Sequence, residues 1–351
     1  MTPDYPPPLR LDIDGDALVA NWRWLKGRMG GAACGAAVKA DGYGLGAREA
    51  VARLAAAGCR DFFVSNWAEA AALAPIGEGL SLAVLHGVDA GGIAAARALG
   101  ARPVLVTPAQ VAAWKAAGGG ACDVMVDTGM NRLGLTPAEA RSGLLDGLAI
   151  DTLMSHLACA DEPGHPLTAA QHTAFRALAA AVPARRYSLA NSAGICLGAD
   201  YGFDLVRPGL ALYGGIPRPE AEGHIRAVAH LSARIVQKRL VPGGDSVGYG
   251  ATWAAAAETP LLVLNIGYAD GYRRAFGNRG TAIVAGQRCP VVGRVSMDLT
   301  TVAVPRALWN DAGEGDWVTV GYELAAASAA SGISQYELLT GLGRRYQRRW
   351  T

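Results

Sequence analysis

A chain of 351 residues can build a substantial core in one large domain or two of ordinary size, and two are expected. Its 32 Lys+Arg against 30 Asp+Glu leave a formal charge of +2, which excludes a dominant polyanion-binding surface and points to a small-molecule partner, not nucleic acid. The six cysteines (Cys34, Cys59, Cys122, Cys159, Cys196 and Cys289) stand singly without a CxxC pair, so a reducing compartment is expected and a metal centre is not.

The opening MTPDYPPPLRLDID has prolines and aspartates where a signal peptide needs a basic start and an apolar run, and no later stretch resembles a membrane span. A cytoplasmic protein without a membrane partner is expected. LRLDID is compatible with pairing in a later sheet or with preceding the first strand of the main fold. A helix begins near Asp14 or Asp16 and runs through ALVANWRWLKG. From residue 34 to about residue 215, apolar strand-like runs then alternate with helix-like segments. The strands are CGAAVKA, RDFFVSN, SLAVLHG, RPVLVT, CDVMVD, IDTLMSHL, RYSLAN and DLVRPGLALYG. Helical segments such as GAREAVARLAAAG and TPAQVAAWKAAG lie between them, opened by turn or cap residues and closed by glycine.

Eight strands with eight crossovers predict an α/β chain whose N-terminal part, residues 1–225, is a (β/α)8 TIM-like barrel. A doubly wound nucleotide-binding sheet would carry a glycine fingerprint after its first strand, and none is present. Beyond about residue 225 the pattern becomes short strands separated by Gly, Pro and Asp: HLSARIVQKRLV, PLLVLNIGYAD, GTAIVAG, QRCPVVGRVSMDLTTVAV and GDWVTVGY. Residues 226–351 are therefore expected to form a C-terminal, mostly-β domain. The basic run RRYQRR, Arg344 to Arg349, reads as a solvated or interface-facing tail.

Barrels do chemistry on the loops at the C-terminal ends of their strands, so polar residues there carry more weight than elsewhere. Lys39 ends the first apolar run, where a lysine must snorkel or be paired; alone it reads as structural. The DGYG that follows changes the balance, because two glycines allow a tight turn and Tyr43 sets a hydroxyl beside the lysine.

VKADGYG resembles the motif of the pyridoxal-phosphate lysine in the alanine racemase family. MVDTGMNRLG, SHLACADE, ANSAG, VRPGLALYG, VGYGATW, IGYADGY and VGRVSMD resemble that family's other signatures, in the same order and over essentially the whole chain. The last fifty or so residues resemble it least. The resemblance implies a homodimeric, fold-type III enzyme that interconverts L- and D-alanine with pyridoxal 5'-phosphate on Lys39 and supplies D-alanine for peptidoglycan. Tyr43, His156, Ser192, Arg207 and the backbone N–H groups of Gly209 and Leu210 are then implied around the cofactor. An arginine only donates hydrogen bonds and stays charged, so a pyridine nitrogen facing Arg207 must remain unprotonated; the shallower electron sink suits racemisation over side reactions.

Racemisation needs a proton-transfer group on each face of a planar carbon, because a single group would return the proton to the face it left. The resemblance gives one face to Lys39 and the other to Tyr249, contributed by the second subunit of a head-to-tail dimer, so that the β domain completes the partner's site. A phenol with an ordinary pKa of about 10 needs cationic or hydrogen-bonding neighbours for that role; His156 and Arg207 are the candidates. The substrate carboxylate is implied to meet Arg132 and the N–H of Met297, behind an entrance lined by Asp161, Tyr268, Arg274 and Arg294.

The chain departs from the family pattern in several places. Met125 stands where some relatives carry a carbamylated lysine, Asn131 replaces a frequent glycine, and Ser296 replaces a frequent cysteine. Arginine occupies the position best aligned with a C-terminal tyrosine that contacts the phosphate in many relatives, and Tyr346 nearby is not expected to replace it. The alternatives are a broader small amino-acid racemase, acting on serine among others, and a pyridoxal-dependent decarboxylase of basic amino acids. The RPG at Arg207 speaks against the decarboxylase, which places a carboxylate against the pyridine nitrogen. A non-catalytic pyridoxal-phosphate-binding protein with a lone barrel is disfavoured by the long β domain.

Overall fold

The apolar runs fold as parallel strands buried on both faces. In the computed structural model, which describes residues 7–351, the first strand is interrupted at Gly35 into Ala33–Cys34 and Ala36–Ala37. Asp61–Val64, Ser81–Val84, Arg102–Leu105, Ala121–Met125, Ala149–Met154, Arg186–Ser188 and Leu205–Val206 follow. Neighbours pair in parallel from the first to the seventh, and Leu205–Val206 pairs back onto Ala33–Cys34. Asp204 N–H to Tyr187 O (3.0 Å) and Arg207 N–H to Ala190 O (2.9 Å) join the seventh strand to the eighth and close the barrel. The expected (β/α)8 fold is present. The eighth strand is shorter than DLVRPGLALYG suggests: Pro208 has no N–H to give a ladder, and Leu210–Tyr213 is a 3-10 turn. Residues 1–6, on which part of the expected lack of a leader rests and with which the expected first domain begins, lie outside the described residues.

Side chains alternate with a period of two along the strands. Phe63, Ala83, Val104, Val106, Met125, Met154 and Leu205 form one buried cluster of the barrel, whereas Cys122, Val124 and Val126 pack with Phe175 and Leu178 of the helix Pro166–Ala179. Helix starts are marked by caps: Thr107 accepts from Gln110 N–H ahead of Pro108–Ala116, and Asn66 accepts from Glu69 N–H ahead of Trp67–Leu73. Near the starts of the strands, Arg186 spans Asp61 (2.7 Å) and Asp151 (2.9 Å), and Arg102 spans Asp123 and Asp151 (3.2 Å each). Charge is thus concentrated at the stability end of the barrel, opposite the end that carries function.

The barrel unit runs from Leu18 to Arg226; the second unit takes the chain up to Ala17 together with Ala227–Thr351. The expected 1–225 boundary is therefore corrected at its start. Leu9–Ile13 pairs antiparallel with Ala229–Val241 and parallel with Gln347–Trp350. Leu9, Leu11 and Ile13 are buried while Arg10 and Asp12 are partly exposed, the pattern of a strand with one wet face and not of a barrel strand. The tail is also corrected. Gln347–Trp350 is an edge strand, Arg349 pairs with Asp12 (2.6 Å), and Arg345 holds Asp270 (2.6 and 2.8 Å) and Asp298 (2.7 Å). The expected strand QRCPVVGRVSMDLTTVAV is two, Gln287–Pro290 and Thr300–Ala303. Between them Ser296 Oγ bonds both Leu299 N–H (3.1 Å) and Leu299 O (2.8 Å), a local alternative to the ladder that makes a loop. Among the described residues, no helix is long and apolar enough to cross a membrane.

Candidate active site

The first barrel strand ends with Val38 N–H bonded to Phe63 O at 2.9 Å, and Lys39 is the next residue. The backbone then turns left-handed for five residues: Ala40 (φ 52°), Asp41 (52°), Gly42 (62°), Tyr43 (56°) and Gly44 (86°). Left-handed backbone costs an L residue roughly 1–2 kcal/mol. It is offset here by Gly42 N–H to Val38 O (2.9 Å), Gly44 N–H to Ala40 O (2.8 Å) and Gly46 N–H to Asp41 O (2.8 Å), while Asp41 Oδ1 takes Ala47 N–H (2.8 Å) at the start of the next helix. The turn buries Tyr43 and stacks it on Tyr213 at 4.8 Å, whose hydroxyl donates to Ala37 O at 3.0 Å. Lys39 is half-buried, and burial lowers its pKa from the ordinary lysine range; the Arg132 cation adds to this and Glu69 opposes it.

Beyond the seventh strand, Asn191 caps Ser192–Cys196 by accepting Gly194 N–H at 2.9 Å, and Ser192 Oγ collects the N–H groups of Gly209 (3.0 Å) and Ala211 (3.2 Å). A Cβ at Gly209 would stand 2.0 Å from the Tyr43 hydroxyl, so only glycine admits that tyrosine. Tyr43, Ser192 and Gly209 therefore form one cluster of hydroxyl and amide groups, with Leu210 next in the chain. Ala211 joins it without having been singled out in the sequence.

Arg207, 6% exposed, donates to Ser188 Oγ and to Ser155 O (2.5 Å). Burial pushes its pKa down to about 10 against the pull of Asp123, which leaves it charged at neutral pH. His156 lies next to Ser155. Burial, followed by the Arg207, Arg132 and Lys39 cations, pushes it down to about 3, so it is neutral in the ordinary range. Its loop is fixed from below by buried Gln171, whose Nε2 donates to His156 O (2.9 Å) and whose Oε1 accepts from Ala158 N–H (2.9 Å).

After the fifth strand, Asp127 draws the chain into a tight loop: its carboxylate accepts from Gly129 N–H and Arg132 N–H, both at 2.8 Å. Asn131 in that loop has φ 54°, a conformation asparagine tolerates better than most residues, which explains how it replaces a glycine. Arg132 is exposed and, among the described residues, makes no ion pair with a carboxylate. Met125 is buried among apolar side chains and gives that arginine no charged support. Asp161 is exposed on the loop that follows His156.

The remaining sequence candidates gather in the β unit. Tyr249 is 70% exposed between Gly248 (φ 75°) and Gly250 (φ 72°), and a Cβ at Gly250 would stand 2.8 Å from the Arg294 guanidinium. Tyr268 N–H donates to Ser296 O and Ala269 N–H to Met297 O, each at 3.0 Å. A Cβ at Gly277 would meet both Arg294 and Arg274 O, so these turns lie together. Met297 is 54% exposed. Tyr346 is a core residue of the β unit, 5% exposed and with its hydroxyl unpaired. Sequence reasoning missed Glu69, Gln171 and the action of Asp127. All three serve backbone groups, and only Asp127 lay inside a quoted motif.

His156 gives a testable pH dependence. With a folded pKa near 3 and an unfolded one near 6.5, the unfolded chain binds the extra proton between those values, so this residue removes stability as pH falls from about 6.5 toward 3. A His156→Gln chain is expected to lose less stability than wild type between pH 6.5 and 4.5, read from urea midpoints of the cofactor-free protein. Equal losses in the two chains would show that His156 titrates normally.

Residues 13–217 match the alanine racemase N-terminal domain family, and residues 228–350 match the alanine racemase C-terminal domain family. The chain belongs to the alanine racemase family. It is 43% identical to an alanine racemase of Methylobacterium nodulans over 353 residues, covering 97% of this chain and 95% of that one. The structure of alanine racemase from Bartonella henselae with covalently bound pyridoxal phosphate superposes with a TM-score of 0.90 at 34% identity, covering 99% and 100% of the two chains. The biosynthetic alanine racemase of Pseudomonas aeruginosa gives 0.89, also at 34%, with the same coverage. The N-terminal match contains Lys39, Arg132, His156, Ser192 and Arg207; the C-terminal match contains Tyr249 and Met297.

Proposed function

We propose that this chain racemises alanine in the cytoplasm as a head-to-tail homodimer, with pyridoxal 5'-phosphate held on Lys39, and that it supplies D-alanine for peptidoglycan. The carrying observation is the donor set at the ends of the barrel strands: a lysine of lowered pKa, a cradle of hydroxyls and amides, and a buried Arg207 that is charged at neutral pH. This set fits the cofactor, because it offers donors for a phosphate and a donor for a pyridine nitrogen. When bound, the cofactor delocalises the charge left by removal of the substrate's α-proton, which makes that weakly acidic hydrogen removable near neutral pH.

Lys39 anchors the cofactor and exchanges the proton on one face of the substrate. Tyr43, Ser192 and the amides of Gly209 and Leu210 hold the phosphate. Arg207 donates without giving up a proton, and neutral His156 lies beside it without adding charge. Arg132 and the Met297 N–H take the substrate carboxylate. Tyr249, exposed between two left-handed glycines, serves the opposite face in a second copy of the chain, and that copy excludes water from both. Asp161, Tyr268, Arg274 and Arg294 line the entrance and restrict it to small side chains.

The test is D-isomer formation from a panel of L-amino acids by purified protein, with borohydride trapping of the cofactor. L-alanine is expected to be the best substrate, ahead of L-serine. The sequence has four lysines, Lys26, Lys39, Lys115 and Lys238, so peptide mapping is unambiguous. A reduced adduct away from Lys39, or carbon dioxide release from L-lysine without racemisation of alanine, would sink the reading.

A further inference from the structure

Two backbone amides at the ends of neighbouring barrel strands share one carboxylate. Glu69 Oε1 accepts from Ala40 N–H at 3.0 Å and Oε2 from Ser65 N–H at 2.7 Å. Glu69 lies in the helix Trp67–Leu73, and its own N–H is taken by the Asn66 cap at 3.0 Å, so its Cα is fixed before its side chain reaches across. Hydrogen bonds to a carboxylate are shorter and roughly twice as strong as neutral ones. These two continue the strand pairing after the ladder stops at Val38 N–H to Phe63 O.

Lys39 is therefore bracketed. The residue before it is held by Phe63, and the residue after it by Glu69. Beyond Ala40 the chain runs left-handed to Gly44, against the preference of L residues, so a tether at the first of those residues determines how the lysine leaves the strand. Glu69 is also the carboxylate that acts on the Lys39 charge, favouring the ammonium against burial and Arg132.

We propose that Glu69 is a positioning residue for Lys39: its carboxylate pins the backbone on the far side of the lysine and so sets the aim of the amine toward one face of the substrate. The inference rests on the reading of Lys39 as the cofactor's lysine. It has a signature that a general structural role lacks. L- and D-alanine have equal free energies, so kcat/KM must fall equally in both directions whatever is substituted. A misaimed Lys39 raises only the barrier for its own proton transfer. The α-deuterium isotope effect then rises for the enantiomer whose proton goes to Lys39 and falls for the other, whose transfer becomes the easier of the two.

The experiment compares full-length wild type with Glu69→Gln, which is isosteric and keeps one acceptor, and with Glu69→Ala. Amide hydrogen exchange is read at Ala40 and Ser65 without cofactor, and isotope effects are read on both alanine enantiomers with it. Exchange at Ala40 is expected to quicken by about tenfold in Glu69→Ala and less in Glu69→Gln. Isotope effects should move in opposite directions, with KM within about twofold of wild type. Unchanged exchange at Ala40, or isotope effects that stay put or move together, would overturn the proposal, and Glu69→Gln decides if Glu69→Ala does not fold. If wild type traps no cofactor at Lys39, the parent reading falls, while the exchange data still decide whether Glu69 pins this strand.

Discussion

A Lys39→Ala chain is expected to racemise alanine slower than wild type by a factor on the order of 10⁴ while keeping its fold. On the proposed reading, one substitution removes both the covalent anchor of the cofactor and one of the two groups that move the proton. No other lysine can stand in for it. Lys115 Nζ donates to Leu144 O at 2.7 Å, Lys238 Nζ to Ala312 O at 2.6 Å, and the Lys26 ammonium lies 5.1 Å from the centre of the Trp22 ring. Because Lys39 is desolvated among cations, its removal should shift the unfolding free energy of the cofactor-free chain by less than about 1 kcal/mol. Chiral chromatography over hours, with thermal unfolding as the control for fold, measures both. A residual rate within tenfold of wild type would show that the amine is not the anchor.

Tyr249→Phe should also be inactive alone, by roughly 10² to 10⁴, since it keeps the ring and loses the proton. The larger result comes from combining the two inactive chains. In a two-fold dimer whose sites each take Lys39 from one chain and Tyr249 from the other, a Lys39→Ala/Tyr249→Phe heterodimer contains one doubly altered site and one intact site. Random exchange of equal amounts then returns about a quarter of wild-type activity. Co-expression with two affinity tags isolates the heterodimer directly. Its failure to regain activity, with both chains verified by mass, would place both groups in one chain, and full activity of Tyr249→Phe alone would remove Tyr249 from the reaction. The 70% exposure of Tyr249 is the feature that this experiment accounts for.

The barrel was legible because its strands are buried on both faces and read as unbroken apolar runs between glycine-closed helices. Leu9–Ile13 was not assignable. Its partners, Ala229–Val241 and Gln347–Trp350, lie more than two hundred residues away, and a short alternating strand carries no local sign of which sheet will accept it. RRYQRR read as a solvated charge run for the same reason: what orders it is Asp12, Asp270 and Asp298, none of them near in sequence. In the site, Lys39, Ser192 and Arg207 stood out because each sits at a strand end with a motif around it. Glu69 and Gln171 did not, because a side chain that binds backbone amides and carbonyls leaves no pattern of its own.

From Ala40 to Gly44 the backbone has the handedness of a mirror-image protein. D-residues prefer positive φ as strongly as L-residues prefer negative φ, so a semisynthetic chain with D-alanine at position 40 should hold this turn more comfortably than the natural one, by roughly 1–2 kcal/mol. L-valine there should be worse tolerated than L-alanine, since its branched side chain crowds the same conformation. The turn that presents the lysine would thus itself discriminate between the two enantiomers of alanine, as a matter of chain stereochemistry and not of catalysis.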